Sequence, residues 1–132
     1  MTTTQRFAGG SSGDFLEQAQ VQQPNLESCI QACFDCLQDC ENCANACLSS
    51  DMVQMMAECI KLCRDCADTC TLCARFMSRN SNIHAQMCSV CAEACERCAA
   101  ECKKHNSDHC QRCAESCRRC AESCRQMAKA MA

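Results

Sequence analysis

The sequence predicts an all-α chain: an antiparallel up-down-up-down four-helix bundle with a cysteine-lined core and a short N-terminal helix. Three observations predict it. Of the 132 residues, 21 are cysteine, about 16% and near twice the share that already flags a thiol-built protein. All of them fall in four groups whose spacings alternate between three and four residues, the seam of a packed amphipathic helix and the period of no strand or loop. One Pro, three Gly and no Trp or Tyr are too few turn formers for an all-β fold or a loop-rich disulfide scaffold.

The elements follow in order. Residues 1–24 form an N-terminal segment rich in Thr, Gly, Ser and Gln and partly mobile at its start. Within it Asp14 to Gln22 is expected to make a short helix with Phe15, Leu16 and Ala19 on one side, ended by Pro24. Residues 25–132 are the bundle. Its first helix, capped by Asn25, carries Cys29, Cys33, Cys36, Cys40, Cys43 and Cys47. The second, with Asp51 and Gln54 as a capping box, carries Cys59, Cys63, Cys66, Cys70 and Cys73. The third opens at Ser81 or Asn82, carries Cys88, Cys91, Cys95, Cys98 and Cys102, and ends at Lys103 and Lys104, charges that suit a helix C-terminus. The fourth, capped by Ser107, carries Cys110, Cys113, Cys117, Cys120 and Cys124. Each helix is expected to span roughly 22–26 residues, ~35 Å. The short connections make neighbours antiparallel, so the four seams converge on one axis.

Composition excludes several function classes. A formal charge of −3 leaves no basic footprint for nucleic acid. There is no basic, aromatic-edged helix for a membrane surface, and no apolar run approaches the ~20 residues of a membrane span. The opening MTTTQRFAGGSSGDF has one Arg, no hydrophobic stretch and no twin arginine, so a cytoplasmic location is expected. There thiols stay reduced, and an odd cysteine count cannot pair fully within one chain.

A core of thiols packs worse than leucine and oxidises, so stability alone does not account for it. Disulfides along one helix are disfavoured, because Cβ atoms at i,i+3 and i,i+4 lie ~5–6 Å apart whereas a disulfide wants ~3.5–4.5 Å. Metal binding remains. The thiolate is the ligating form, but burying unpaired anions is prohibitive. The empty protein should therefore hold mostly protonated thiols, and loading should release protons. One monovalent ion per thiolate neutralises the core. Seven Zn²⁺ carry only fourteen positive charges and would leave seven of 21 thiolates uncompensated. Tetrahedral zinc also wants four ligands converging on a point, while a continuous ladder suits a low-coordinate ion. A soft, monovalent, low-coordinate ion is Cu(I), at a capacity on the order of one per cysteine.

The register runs on beyond the cysteines into Met52, Met56 and Met77, into His84, His105 and His109, and into Met127 and Met131. Thioether and imidazole also suit Cu(I), whereas zinc has little use for Met. An antiparallel bundle brings Met52, Met55, Met56, His105 and His109 to one end, where exchangeable ligands make a candidate port (His105, His109, Met52, Met56). At the other end Leu26, Met77, Ile83, Met87, Met127 and Met131 read as a hydrophobic seal, and His84 is undecided.

The repeated CxxxCxxC over residues 29–124 resembles the bacterial copper storage proteins, specifically their cytosolic branch. The resemblance implies a four-helix bundle whose lumen fills with Cu(I), bound mostly by thiolate pairs. It also implies ingress at a His- or Met-lined end, matched here by His105, His109, Met52 and Met56, and a homotetramer. A second apolar stripe, Ile30, Phe34, Leu37, Ala44 and Leu48 on the first helix with Val53, Ala57, Ile60 and Ala67 on the second, is expected to face a partner subunit or the N-terminal helix. A copper chaperone is a further candidate partner, as donor or acceptor; nucleic acid and membrane are not. No catalytic pairing of nucleophile, base and orienter is evident. The leading function is storage, buffering and detoxification of Cu(I). The alternative is a metallothionein-like sink for Zn or Cd; a thiol redox buffer and an iron–sulfur carrier stand further off.

Overall fold

The computed structural model describes residues 24–130. Among them the helices are α1 (Pro24–Leu48), α2 (Ala57–Ser78), α3 (His84–Cys102) and α4 (Asp108–Ala130), and no strand occurs. Each helix packs on its neighbours in the order α1–α2–α3–α4–α1, which closes a square bundle around one axis. All 21 cysteines are buried and none is in a disulfide. Ala44, Ala67, Ala74, Ala92 and Ala121 are the other small buried residues of the core. Apart from Met56, Ile60, Met77 and Met127, the buried hydrophobic core is thiol and alanine, so the helices can approach closely enough for the short thiols to meet.

The boundaries differ from the sequence expectation where capping was invoked. Pro24 and Asn25 both lie within α1, so Asn25 is not the residue before the helix; a proline is tolerated in a first turn because its missing N–H has no partner to lose there. Asp51 does not open α2. Residues 51–56 form consecutive turns, the Met52 N–H bonds the Ser50 hydroxyl, and the helix begins after Met56 with no side-chain cap. The third helix starts at His84, behind Ile83. Ser81 still contributes, because its hydroxyl accepts from the Ile83 N–H and its carbonyl from the His84 N–H. With 19 residues α3 is shorter than expected. Ser107 does precede α4 directly. The expected short helix over 14–22 and Met131 lie outside the described residues.

The α2–α3 connection is a five-residue turn with a defined helix ending. Asn80 has φ 52°, a left-handed conformation that asparagine tolerates better than most residues. Around it the Ser81 N–H bonds the Phe76 carbonyl and the Asn80 N–H bonds the Met77 carbonyl, the paired bonds of a Schellman ending. On the outside, Arg125 of α4 pairs with Glu96 of α3 through two bonds of 2.8 and 2.9 Å. Ser116, buried on α4, donates to Asp39 of α1.

Candidate metal centre

The 3-4 spacing turns one face of each helix into a line of sulfurs, and the bundle presses the four lines together. Two seams result. Between α1 and α4, Cys29 lies 3.6 Å from Cys124, Cys33 3.7 Å from Cys120, Cys36 3.6 Å from Cys117, Cys40 3.7 Å from Cys113 and Cys43 3.8 Å from Cys110. Between α2 and α3, Cys59 lies 3.5 Å from Cys102, Cys63 3.7 Å from Cys98, Cys66 3.4 Å from Cys95, Cys70 3.7 Å from Cys91 and Cys73 3.6 Å from Cys88. Twenty of the 21 cysteines thus meet a partner running the opposite way on the adjacent helix, Cys47 being the one outside these pairs.

The seams are joined across the lumen. Cys36 lies 3.5 Å from Cys66, Cys63 3.8 Å from Cys113, and Cys70 3.9 Å from Cys120. Within single helices the sulfurs in contact are spaced i,i+4, such as Cys36–Cys40 and Cys113–Cys117, both 3.9 Å. All these separations are thiol–thiol contacts, far beyond the ~2.04 Å of a disulfide. A linear sulfur–metal–sulfur unit spans about 4.5 Å if each bond is near the ~2.3 Å of Zn–S. Small side-chain rotations would open the contacts to that span.

The sulfurs also gather in fours, with all ligand atoms of a nest within 4.8 Å of one another. Cys33, Cys70, Cys91 and Cys120 make one nest; Cys36, Cys40, Cys66 and Cys117 another; Cys40, Cys63, Cys98 and Cys113 a third. Convergence of four thiols therefore does occur, contrary to the expectation that a ladder would offer only low-coordinate sites. The nests overlap, however. Cys33 and Cys91 each belong also to a nest with Cys73 and Cys124, and Cys36 and Cys66 to one with Cys70 and Cys95. Closed tetrahedral sites need four ligands each, so neighbouring nests here could fill together only by sharing thiolates as bridges.

Burial raises the cost of every thiolate here, while a neighbouring S–H that points at a sulfur lowers it. At Cys47 burial dominates, reinforced by Cys59 and Cys110, and its thiol is pushed up to about 12. Burial likewise pushes Cys110 up. At the opposite end the thiols of Cys124, Cys33 and Cys88, Cys124 most strongly, hold Cys73 down at about 6. Cys120 is also held near 6, chiefly by Cys124.

The predicted port residues share one end of the bundle but play unequal parts. His109, in the first turn of α4, sets its Nδ1 3.3 Å from Cys43 Sγ and 3.6 Å from Cys110 Sγ. His105 instead bonds Glu101 through Nε2 at 3.0 Å and meets no thiol. Met56 is buried, while Met52 and Met55 are 53% and 69% exposed. Of the expected seal at the other end, Met77 and Met127 are buried and Leu26 and Met87 are partly buried against the core, but Ile83 is 52% exposed. Sequence periodicity left His84 open. It is 4% exposed, and neither ring nitrogen has a hydrogen-bond partner among the described residues. The expected second stripe divides: Ala44, Ile60 and Ala67 are buried in the bundle, whereas Phe34, Leu48 and Val53 stay exposed.

The family model described as copper storage protein matches residues 22–129. None of the curated proteins matches the chain. Among solved structures, apo copper storage protein 3 from Bacillus subtilis is 45% identical with a TM-score of 0.74, covering 77% of this chain and 97% of that one. The Cu(I)-bound copper storage protein BsCsp3 is 44% identical with a TM-score of 0.76, covering 79% and 98%. A cytosolic copper storage protein from Streptomyces lividans, carrying five coppers, is 36% identical with a TM-score of 0.79, covering 83% and 96%.

Proposed function

This chain belongs to the copper storage protein family, and from that premise we propose that it stores Cu(I) in bulk in the cytosol, on the order of one ion per cysteine. The continuous sulfur column from Cys29 and Cys124 to Cys43 and Cys110 carries the reading. Each Cu⁺ that enters replaces one thiol proton, so the lumen stays neutral as it fills. All 21 cysteines are the ligands. His109, already against Cys43 and Cys110, hands ions from the surface to the first sulfurs, and Met56, Met52 and His105 surround that doorway. Residues 25–132 are the storage domain, with residues 1–24 appended to it. The role is binding, buffering and detoxification, with no chemistry done on the ion beyond ligand exchange.

The exposed Phe34 and Leu48 on α1 and Val53 in the turns before α2 belong to the stripe expected to meet a second subunit, and support a homo-oligomer, a tetramer by family likeness. A copper chaperone is the natural donor or acceptor at the port. The alternative of a Zn or Cd sink is opposed by charge, because seven divalent ions would leave seven of the 21 buried thiolates uncompensated.

Titration of the reduced, metal-free protein with Cu(I) against a competing chelator tests this, with bound copper and released protons counted together. Retention approaching 21 Cu(I) per chain, one for each cysteine, with matching proton release, is expected. Saturation near a third of that, with Zn²⁺ competing effectively, would overturn the reading.

A further inference from the structure

The end of the bundle away from the port carries the one buried imidazole that the storage column does not explain. His84 is the first residue of α3. It stands four residues before Cys88 and so extends the sulfur seam by one position, on the same helix face. It is 4% exposed, and both Nδ1 and Nε2 lack any hydrogen-bond partner among the described residues. An unsatisfied buried polar group is destabilising, so a core plug at this position is better made of leucine or methionine. Its surroundings supply no conventional partner. On α2 the seam continues as Cys73 and Met77, and on α4 as Cys124 and Met127, all buried.

We propose that His84 is a metal ligand: with Cys88 it forms the terminal Cu(I) site that closes the column at its sealed end. This rests on the storage reading above. Side chains at i,i+4 have Cβ atoms ~5–6 Å apart. A linear nitrogen–metal–sulfur unit spans about 4.3 Å if bonds resemble the ~2.0 and ~2.3 Å of zinc, a length this spacing accommodates. The balance is simple: one Cu⁺ enters, the Cys88 thiol loses one proton to solvent, and the imidazole donates a nitrogen lone pair without adding charge. The site is uncharged. A neutral donor matters here because the column runs out of cysteines: a second thiolate on a terminal ion would leave a buried negative charge. Met77 and Met127 close the site from the neighbouring helices, and their thioethers favour Cu(I) over Zn²⁺. Outside lies an open cavity of about 610 Å³ lined by Asn80, Ser81, Asn82, His84, Gln86 and Ser89. The imidazole therefore stands between solvent and the last sulfurs, where a released proton can leave.

The full chain, with histidine ring nitrogens isotopically labelled, is titrated with Cu(I) to saturation and followed by nitrogen NMR. A crystal of the saturated wild-type protein is then read by anomalous scattering at the copper edge. The expected result is a large shift of one His84 ring nitrogen, a copper within bonding distance of it, and a His84→Leu variant that saturates one copper per chain lower. A saturated wild-type column with no copper at His84 and an unmoved His84 resonance would overturn the proposal while leaving the storage reading intact. Failure of the wild-type protein to approach one copper per cysteine would overturn both. Because the crystal reads the wild-type chain, the test survives a variant that does not fold.

Discussion

The two ends of this bundle are built from the same seams and finished differently. At one end eight residues, 49–56, separate α1 from α2 in loose turns, Met52 and Met55 stand in solvent, and His109 leans on the first thiols. At the other end α2 and α3 are joined by five residues locked in a Schellman turn around Asn80, with Met77 and Met127 buried and His84 behind them. The lesson is that a column of equivalent ligands acquires a direction only from its termini. Traffic needs exposed, weaker donors and a backbone that can yield. Closure needs buried ones on a backbone that cannot.

Three experiments would sharpen or break that contrast. The largest effect is expected from replacing His105 and His109 together by alanine. Loading from a chelated Cu(I) donor should slow by roughly tenfold or more, as for lost metal-site partners elsewhere, with final capacity retained. Stopped-flow kinetics beside a stoichiometric titration checks both halves. If His84→Leu slowed loading equally, the ends would not differ in role.

A second contrast is in protons. In the metal-free protein Cys73, at the closed end, is held down at about 6, and Cys47, at the port, is pushed up to about 12. Both thiols titrate near 9 when unperturbed. Linkage then gives opposite signs. Cys73 contributes stability that is full above pH 9 and lost as pH falls through 6. Cys47 contributes stability that is full below pH 9 and lost as pH rises towards 12. Melting temperatures of reduced Cys73→Ser and Cys47→Ser, each against wild type, should therefore diverge with pH. Cys73→Ser should cost most above pH 9, and Cys47→Ser should gain on wild type there. Parallel curves would show the two ends to be electrostatically alike.

The smallest effect is in the turns. Asn80→Ala forces alanine into a left-handed conformation and should cost about 1–2 kcal/mol, read as a lower urea midpoint. Asn80→Gly should cost less. Asp51→Ala at the port should fall within about 0.5 kcal/mol of wild type, as exposed positions do, because Asp51 caps nothing.

Much of this was legible because a heptad of one residue type leaves little freedom. Once Cys29 to Cys124 are placed on four helix faces, the bundle and its antiparallel order follow. Cap residues were less legible. Asp51 and Gln54 have the right letters, but Ser50 captures the Met52 N–H first and the chain turns several times before α2 begins. Ser81 acts two residues ahead of the α3 cap residue, Ile83, rather than as the cap itself. The cross-seam contacts, such as Cys36 with Cys66, depend on how each helix is rotated about its own axis, which a one-dimensional period does not encode. The same is true of His84 and Ile83. They are adjacent in sequence and near the same helix start, yet one is buried and the other 52% exposed, opposite to what polarity alone suggests.

The overlap of the four-thiol nests has a consequence for inheritance. In an ordinary metal site, losing one of four ligands abolishes the site, and the change is lethal to function. Here Cys33 is a corner of two nests, and so is Cys40. Deleting either leaves three sulfurs in each nest, still enough to bridge a low-coordinate ion. Damage lowers capacity by increments instead of switching it off. A store assembled this way can gain or lose cysteines one at a time over generations, and its size can follow demand without the fold ever being redesigned.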